Sequence, residues 1–385
     1  MNPETSIENL EPDVSTDIES ERPEFADIEP DLREIRRKAS NRDCENLVVI
    51  GNGGSITSFR ALYYAFIDQV DKDVYIVNTP EPDLIKRVSR NTRPENTLVM
   101  PISKSGETTS VVETLLHFLD QDYPVFAVTS DNEGALRQII EKKDLEWIEH
   151  KQVGGRFSGL TETALMPAAI CGIDVEQVRR GGEKIYSSQR ASEKALKLSE
   201  AIYTAEKNGF DQVLAPFYST RLFGFYPLMV QLMHETVSKE GEGFTVFGDL
   251  GPEYQHHTNQ RLFGGPENIL PLFVVSSAHE HEKLDVPEEL TDIEIRDRKL
   301  GELDGEELSG ALESEYQGVR KALDEEERPY LVLEVENLDY GAVGGLIAFL
   351  QLMAFYSAKI RDVNPYNQPD VEKSKDYGFE RRFKV

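Results

Sequence analysis

From Asn46 onward the chain alternates short β-branched runs with amphipathic stretches, and no other feature restricts its fold so much. NLVVIG is followed by SITSFRALYYAF, DVYIVN, NTLVMPIS, a helical pattern from about Gly106, and YPVFAVTS. Strands separated by helical crossovers pair in parallel, so this grammar predicts a parallel sheet covered by helices. After a helical region over roughly Asp174 to Lys207 the pattern restarts with DQVLAPFYS, a helix through Met233, GFTVFGD, ILPLFVVSS, TDIEIRD, a helix from about Leu308, and PYLVLEVE. Both halves open with an apolar strand, a serine-bearing turn and an amphipathic helix, VVIGNGGSITSFRALYYAF and VLAPFYSTRLFGFYPLMVQL, which suggests an internal repeat.

At 385 residues the chain exceeds the size at which one core usually stops growing, so two domains with separate cores are expected. Residues 1–30, rich in Asp, Glu, Pro and Ser, read as an acidic, flexible tail. We expect a first α/β subdomain over 31–190, a second over 191–362 and a C-terminal segment over 363–385. The longest apolar stretch, Gly341 to Tyr356, is short of a membrane span and is followed by Ser357, Lys359 and Arg361, so it reads as a buried helix.

Acidic residues outnumber basic ones 70 to 42, and the formal charge of −28 opposes binding to nucleic acid or to an anionic membrane; neither partner is expected. The same excess resembles the surface chemistry of cytosolic proteins from salt-accumulating organisms. Cys44 and Cys171 are too few for a disulfide framework, and the N-terminus has no basic and apolar regions of a signal peptide, which predicts a cytosolic protein.

In open α/β sheets, ligands sit beyond the carboxyl ends of strands, where helix N-termini offer free amides. Two loops fall there, Gly51-Asn52-Gly53-Gly54-Ser55 and Ser103-Lys104-Ser105-Gly106-Glu107-Thr108. The first alone reads as ordinary turn chemistry; the second, with its hydroxyls, glycine and following helix, reads as a phosphate loop. Neither is a Walker A or GxGxxG motif, so a nucleotide cofactor is not expected. His234, His256 and His257, or His279 with His281, make a poor metal site, because adjacent histidines point apart and no Cys or HExxH pattern accompanies them.

SKSGETTSVVETL looks like the sugar-phosphate loop of the sugar isomerase (SIS) fold, and VGGRFSGLTETALMPAAICGI closely resembles the signature of the phosphoglucose isomerase family. Further matches follow in order: Gln231 and Glu235 in QLMHETVSKEG, Gln255 and His256 in EYQHHTNQ, and Tyr366, Asn367, Gln368, Val371, Glu372 and Lys375 in NPYNQPDVEKSK. The resemblance spans about residues 46 to 376. Pro369 and Asp370 depart from the family pattern, GDLGPEYQHH is only loosely similar, and the length is that of a compact prokaryotic form.

The resemblance implies two flavodoxin-like, three-layer α/β/α subdomains with mostly parallel sheets and the substrate in the cleft between them. It implies interconversion of glucose 6-phosphate and fructose 6-phosphate through a cis-enediolate, the step shared by glycolysis and gluconeogenesis, with no metal or organic cofactor. Glu235 is then the proton-shuttling base and Arg156 the cation that stabilises the enediolate. His256 is the ring-opening group, with His257 beside it as the alternative. Lys375 would assist ring opening, while Ser103, Lys104, Ser105 and Thr108 fix the phosphate and Gly54, Ser55, Gln231 and Gln368 contact the sugar or its neighbours. The family is dimeric, with the histidine supplied by the partner subunit, so a homodimer with shared sites is expected. Two other readings stay open: an isomerase that also accepts mannose 6-phosphate, and a non-catalytic sugar-phosphate sensor, which would need neither Glu235 nor His256.

Overall fold

Twelve strands organise the described part of the protein in the computed structural model, which covers residues 1–5, 18 and 20–383. They are β1 (Asn2–Thr5), β2 (Asn46–Ile50), β3 (Asp73–Val77), β4 (Thr97–Pro101), β5 (Phe126–Thr129), β6 (Glu146–Glu149), β7 (Gln212–Phe217), β8 (Thr245–Leu250), β9 (Ile269–Ser276), β10 (Glu294–Ile295), β11 (Arg298–Lys299) and β12 (Leu331–Val335).

In the first half β3, β2 and β4 pair in parallel, and parallel bridges at Val99–Val125 and Ile102–Val128 continue the sheet into β5 and β6. The resulting order, β3-β2-β4-β5-β6, is the flavodoxin-like one. In the second half the order is β8-β7-β9-β12-β1, parallel throughout except for β1. The two halves therefore repeat one topology, and in the second the fifth position is taken by an antiparallel strand from the start of the chain.

Both faces of the parallel strands are covered, which explains their unbroken apolar runs. Leu47 and Val49 enter one hydrophobic cluster, whereas Val48 and Ile50 enter another on the opposite face. Val213 and Ala215 enter the first of these clusters too, so the expectation of separate cores needs correction: one continuous middle core joins the halves. The helices Val175–Tyr186, Gln189–Lys207 and Tyr340–Ile360 fill this shared layer. We propose the division near residue 190 as a boundary between sheets, not between cores. At 21 residues, Tyr340–Ile360 is longer than the apolar stretch suggested and long enough to cross a membrane, but 89% of its apolar window is buried inside the protein.

The acidic tail expected over 1–30 is also corrected where it is described. Residues 6–17 and 19 lie outside the described residues, but Asn2–Thr5 pairs with β12 and Glu24–Asp27 forms a 3-10 turn. Phe25 is buried and stacks on Phe157 at 4.2 Å between ring centroids, and the Tyr356 hydroxyl donates to the carbonyl of Glu21. A single buried aromatic offsets the ordering of a short segment, which its charged neighbours hide from a composition-based reading. TDIEIRD likewise departs from its strand pattern: β10 and β11 form a small exposed hairpin outside the main sheets, turning at Arg296 and Asp297, both with positive φ.

Candidate active site

The strand order reverses between β2 and β4, and both expected loops leave the sheet there. Ser103 and Thr108 share a hydrogen bond between their hydroxyls at 2.9 Å, while the amides of Gly106 and Glu107 donate to the Ser103 and Ser105 hydroxyls. Gly106 has φ +70°, so the helix does not begin there as expected but at Thr109, and the loop keeps its curvature through Thr108. Burial lowers the Lys104 pKa, and no ion pair engages it among the described residues. Ser103, Ser105 and Thr108 thus share one loop with a half-buried ammonium, a set of groups able to hold a phosphate dianion.

The Gly51–Ser55 loop lies between this loop and the second half. Ser110 donates to Asn52 Oδ1 at 2.8 Å, tying it to the helix that follows the phosphate loop. On its other side, Gly53 has φ +52°, and a Cβ there would lie 2.9 Å from Gln231 Nε2. A Cβ on Gly54 would sit 2.1 Å from the carbonyl carbon of Gly155, so the two glycine loops interlock backbone against backbone. The glycines of GNGGS thus serve a close approach and not only a turn.

Gln231 and Glu235 lie one turn apart on helix Tyr226–Val237, and this spacing faces both side chains the same way. Thr57 donates to Gln231 Oε1 at 3.0 Å, which fixes the amide so that Gln231 Nε2 donates to Glu235 Oε1 at 3.1 Å. From the other side Arg156 Nη1 reaches Glu235 Oε2 at 3.4 Å. The carboxylate keeps 30% side-chain exposure, whereas the guanidinium is 1% exposed. Burial pulls the Arg156 pKa below the usual arginine range, and Glu235 pulls it back.

All five N–H groups of Arg156 are engaged. Nε donates to Thr236 Oγ1 at 2.8 Å, Nη1 to Gln368 Oε1 at 2.7 Å as well as Glu235, and Nη2 to the carbonyls of Pro365 and Asn367 at 2.6 and 3.0 Å. Glu235, Arg156, Gln231 and Gln368 are therefore brought together, and Gly54 and Ser55 lie on the loop beside them. Two expected residues are not. His256 ends the 3-10 turn Glu253–His256, which buries Tyr254 and ties Gln255 Nε2 to the Tyr218 hydroxyl at 2.8 Å; His256 itself is exposed and unpaired among the described residues. Lys375 sits on the exposed helix Glu372–Phe383, paired with Glu372 at 2.8 Å. His257 accompanies Thr258 and Asp249, and His234 Nε2 accepts from the amide of Val246 at the start of β8. Among the described residues no group of three or more His, Cys, Asp or Glu is placed to hold a metal ion.

Sequence reasoning missed Thr57, Thr236 and Lys239. Lys239 donates to Asn364 and Asn367, and its only sequence signal is its place four residues after Glu235.

A duplicated flavodoxin-like order with a hydroxyl-rich loop at the first switch point defines a sugar isomerase fold protein. Solved structures agree: a hypothetical protein of Thermus thermophilus matches with a TM-score of 0.83 and 28% identity over 91% of this chain and 87% of that one. A glucose-6-phosphate isomerase of Chlamydia trachomatis shares the fold, with a TM-score of 0.74, 20% identity and 90% and 72% coverage. No family model matches the chain. A glucose-6-phosphate isomerase of Thermus thermophilus is 31% identical over 89% of this chain and 85% of its own length, and a probable glucose-6-phosphate isomerase of Haloarcula marismortui is 28% identical over 87% and 77%. The chain belongs to the glucose-6-phosphate isomerase family.

Proposed function

We propose that the protein interconverts glucose 6-phosphate and fructose 6-phosphate. The observation that carries this reading is the setting of Glu235: a partly exposed carboxylate aligned by Gln231 on one side and Arg156 on the other, across one loop from the phosphate cradle. Ser103, Lys104, Ser105 and Thr108 hold the phosphate, which places carbons one and two against Glu235. The carboxylate takes the proton from carbon two of the aldose as electrons move to the oxygen on carbon one, the hydroxyl proton of oxygen two passes to oxygen one in the enediolate, and the carbon-bound proton returns to carbon one as the carbonyl forms at carbon two, so no net oxidation occurs. The buried Arg156 charge stabilises the enediolate at that moment, at little reorganisation cost because its donors are already held.

Ring opening is assigned to His256, supported by its exposure and its lack of partners among the described residues. This fits a dimer in which His256 of each copy completes the other's site, with Lys375 brought in by its helix. Two free, buried thiols, Cys44 and Cys171, support a reducing compartment, the cytosol.

A coupled assay with glucose 6-phosphate tests this reading. Glu235→Gln keeps the shape and removes the base, and kcat is expected to fall by roughly 10²- to 10⁴-fold with KM nearly unchanged. Equal turnover in the two proteins would sink the mechanism. Light scattering is expected to show a dimer under assay conditions, and full turnover by a confirmed monomer would remove the shared site.

A further inference from the structure

In so acidic a chain a lysine is expected at the surface, yet Lys239 is 5% exposed. It lies two residues beyond the end of helix Tyr226–Val237, which carries Gln231 and Glu235. Its ammonium donates to the carbonyl of Asn364, the carbonyl of Asn367 at 2.8 Å and Asn367 Oδ1 at 3.1 Å. Three N–H groups thus meet three oxygens, all in one short segment between helix Tyr340–Ile360 and the turn at Pro369. The Asn367 carbonyl also accepts from Arg156, so two buried cations grip the same peptide group.

This arrangement is costly. Burial and the neighbouring Arg156 push the Lys239 pKa down to about 8, against the opposing pull of Glu240, Asp370 and Glu235. An apolar side chain would fill the space without the desolvation. An apolar side chain would supply none of the three donated hydrogen bonds, and the gripped segment carries Gln368, which shares Arg156 Nη1 with Glu235.

We propose that Lys239 is a positioning residue for the isomerisation: it pins Asn364–Gln368 so that Gln368 and Arg156 hold their geometry against Glu235. The inference rests on the reading of Glu235 as the base. Lys239 exchanges no proton with substrate, since each of its N–H groups is engaged within the protein.

The test compares Lys239→Met and Lys239→Arg with the wild type in the glucose 6-phosphate assay, alongside thermal unfolding. Lys239→Met is expected to lose roughly 10- to 100-fold in kcat, with KM within about twofold because the phosphate cradle is untouched. Lys239→Arg, which keeps a cationic donor, is expected to recover most of that loss. Wild-type kcat in Lys239→Met, or a raised KM at constant kcat, would overturn the proposal. Should Lys239→Met fail to fold, Asn367→Ala carries the test: removal of one acceptor is expected to lower kcat about fivefold, the worth of one hydrogen bond, at constant KM. An unchanged kcat there counts against Lys239. Loss of turnover in Glu235→Gln with full turnover in Lys239→Met rejects only this inference, whereas full turnover in Glu235→Gln rejects the reading beneath it.

Discussion

Among single residues, the first half of the protein contains a histidine that titrates with folding. His150 is fully buried, its Nδ1 donates to the carbonyl of Lys151 at 2.7 Å, and its Nε2 has no partner among the described residues. Burial pushes its pKa from 6.5 down to about 4. The unfolded chain therefore binds the proton more readily between those values. The stability linked to the neutral ring is present above about pH 6.5 and is lost as pH falls towards about 4, on the order of 3 kcal/mol in all. Urea midpoints of the wild type should fall over that window, and those of His150→Gln should fall less; parallel curves would show that the ring does not carry the acid limb. Legibility differed among residues for physical reasons. The Ser103–Thr108 loop stood out by its hydroxyls and glycine after a strand, and Glu235 and Arg156 only through motifs that resemble those of the phosphoglucose isomerase family. Thr57 and Lys239 did not, since their partners are 174 and 125 to 128 residues away and neither residue type announces a buried role.

Among the elements, the loops interlock more tightly than their composition implied. Gly54→Ala would drive a Cβ into the backbone of Gly155 and Arg156, at 2.1 to 2.5 Å, where no side chain can yield. It is expected to cost about 1–3 kcal/mol and to lower kcat/KM by roughly tenfold or more, because the loop between cradle and base must shift. Gly154→Ala, which meets only Phe157 at 3.8 Å, serves as the control and should be near neutral in both measurements. The central parallel strands were legible because burial on both faces demands continuous apolar runs. β6, with four residues and partly exposed, gave too short a run, and TDIEIRD gave the opposite error: Ile293 and Ile295 alternate with charges as in a half-buried strand, yet both are exposed. β1, in the polar stretch NPET, joins the sheet through its backbone, which composition does not report.

For the protein as a whole, the charge balance sets the conditions in which the fold is most secure. A net charge of −28 repels itself, and the repulsion is screened over about 10 Å at 0.1 M salt but about 3 Å at 1 M. Melting temperature and activity should both rise as potassium chloride increases from 0.1 M towards molar concentrations; a steady decline would show that the carboxylates are not an adaptation to salt. The repeated topology has its own consequence for how the chain is made. The strand that completes the second sheet, Asn2–Thr5, leaves the ribosome well before its partner β12, which follows some 330 residues later. At ordinary translation speeds that gap is on the order of tens of seconds. The sheet edge that β1 seals stays open until β12 has been made, so a strand made early waits for most of the two sheets before it is put to use.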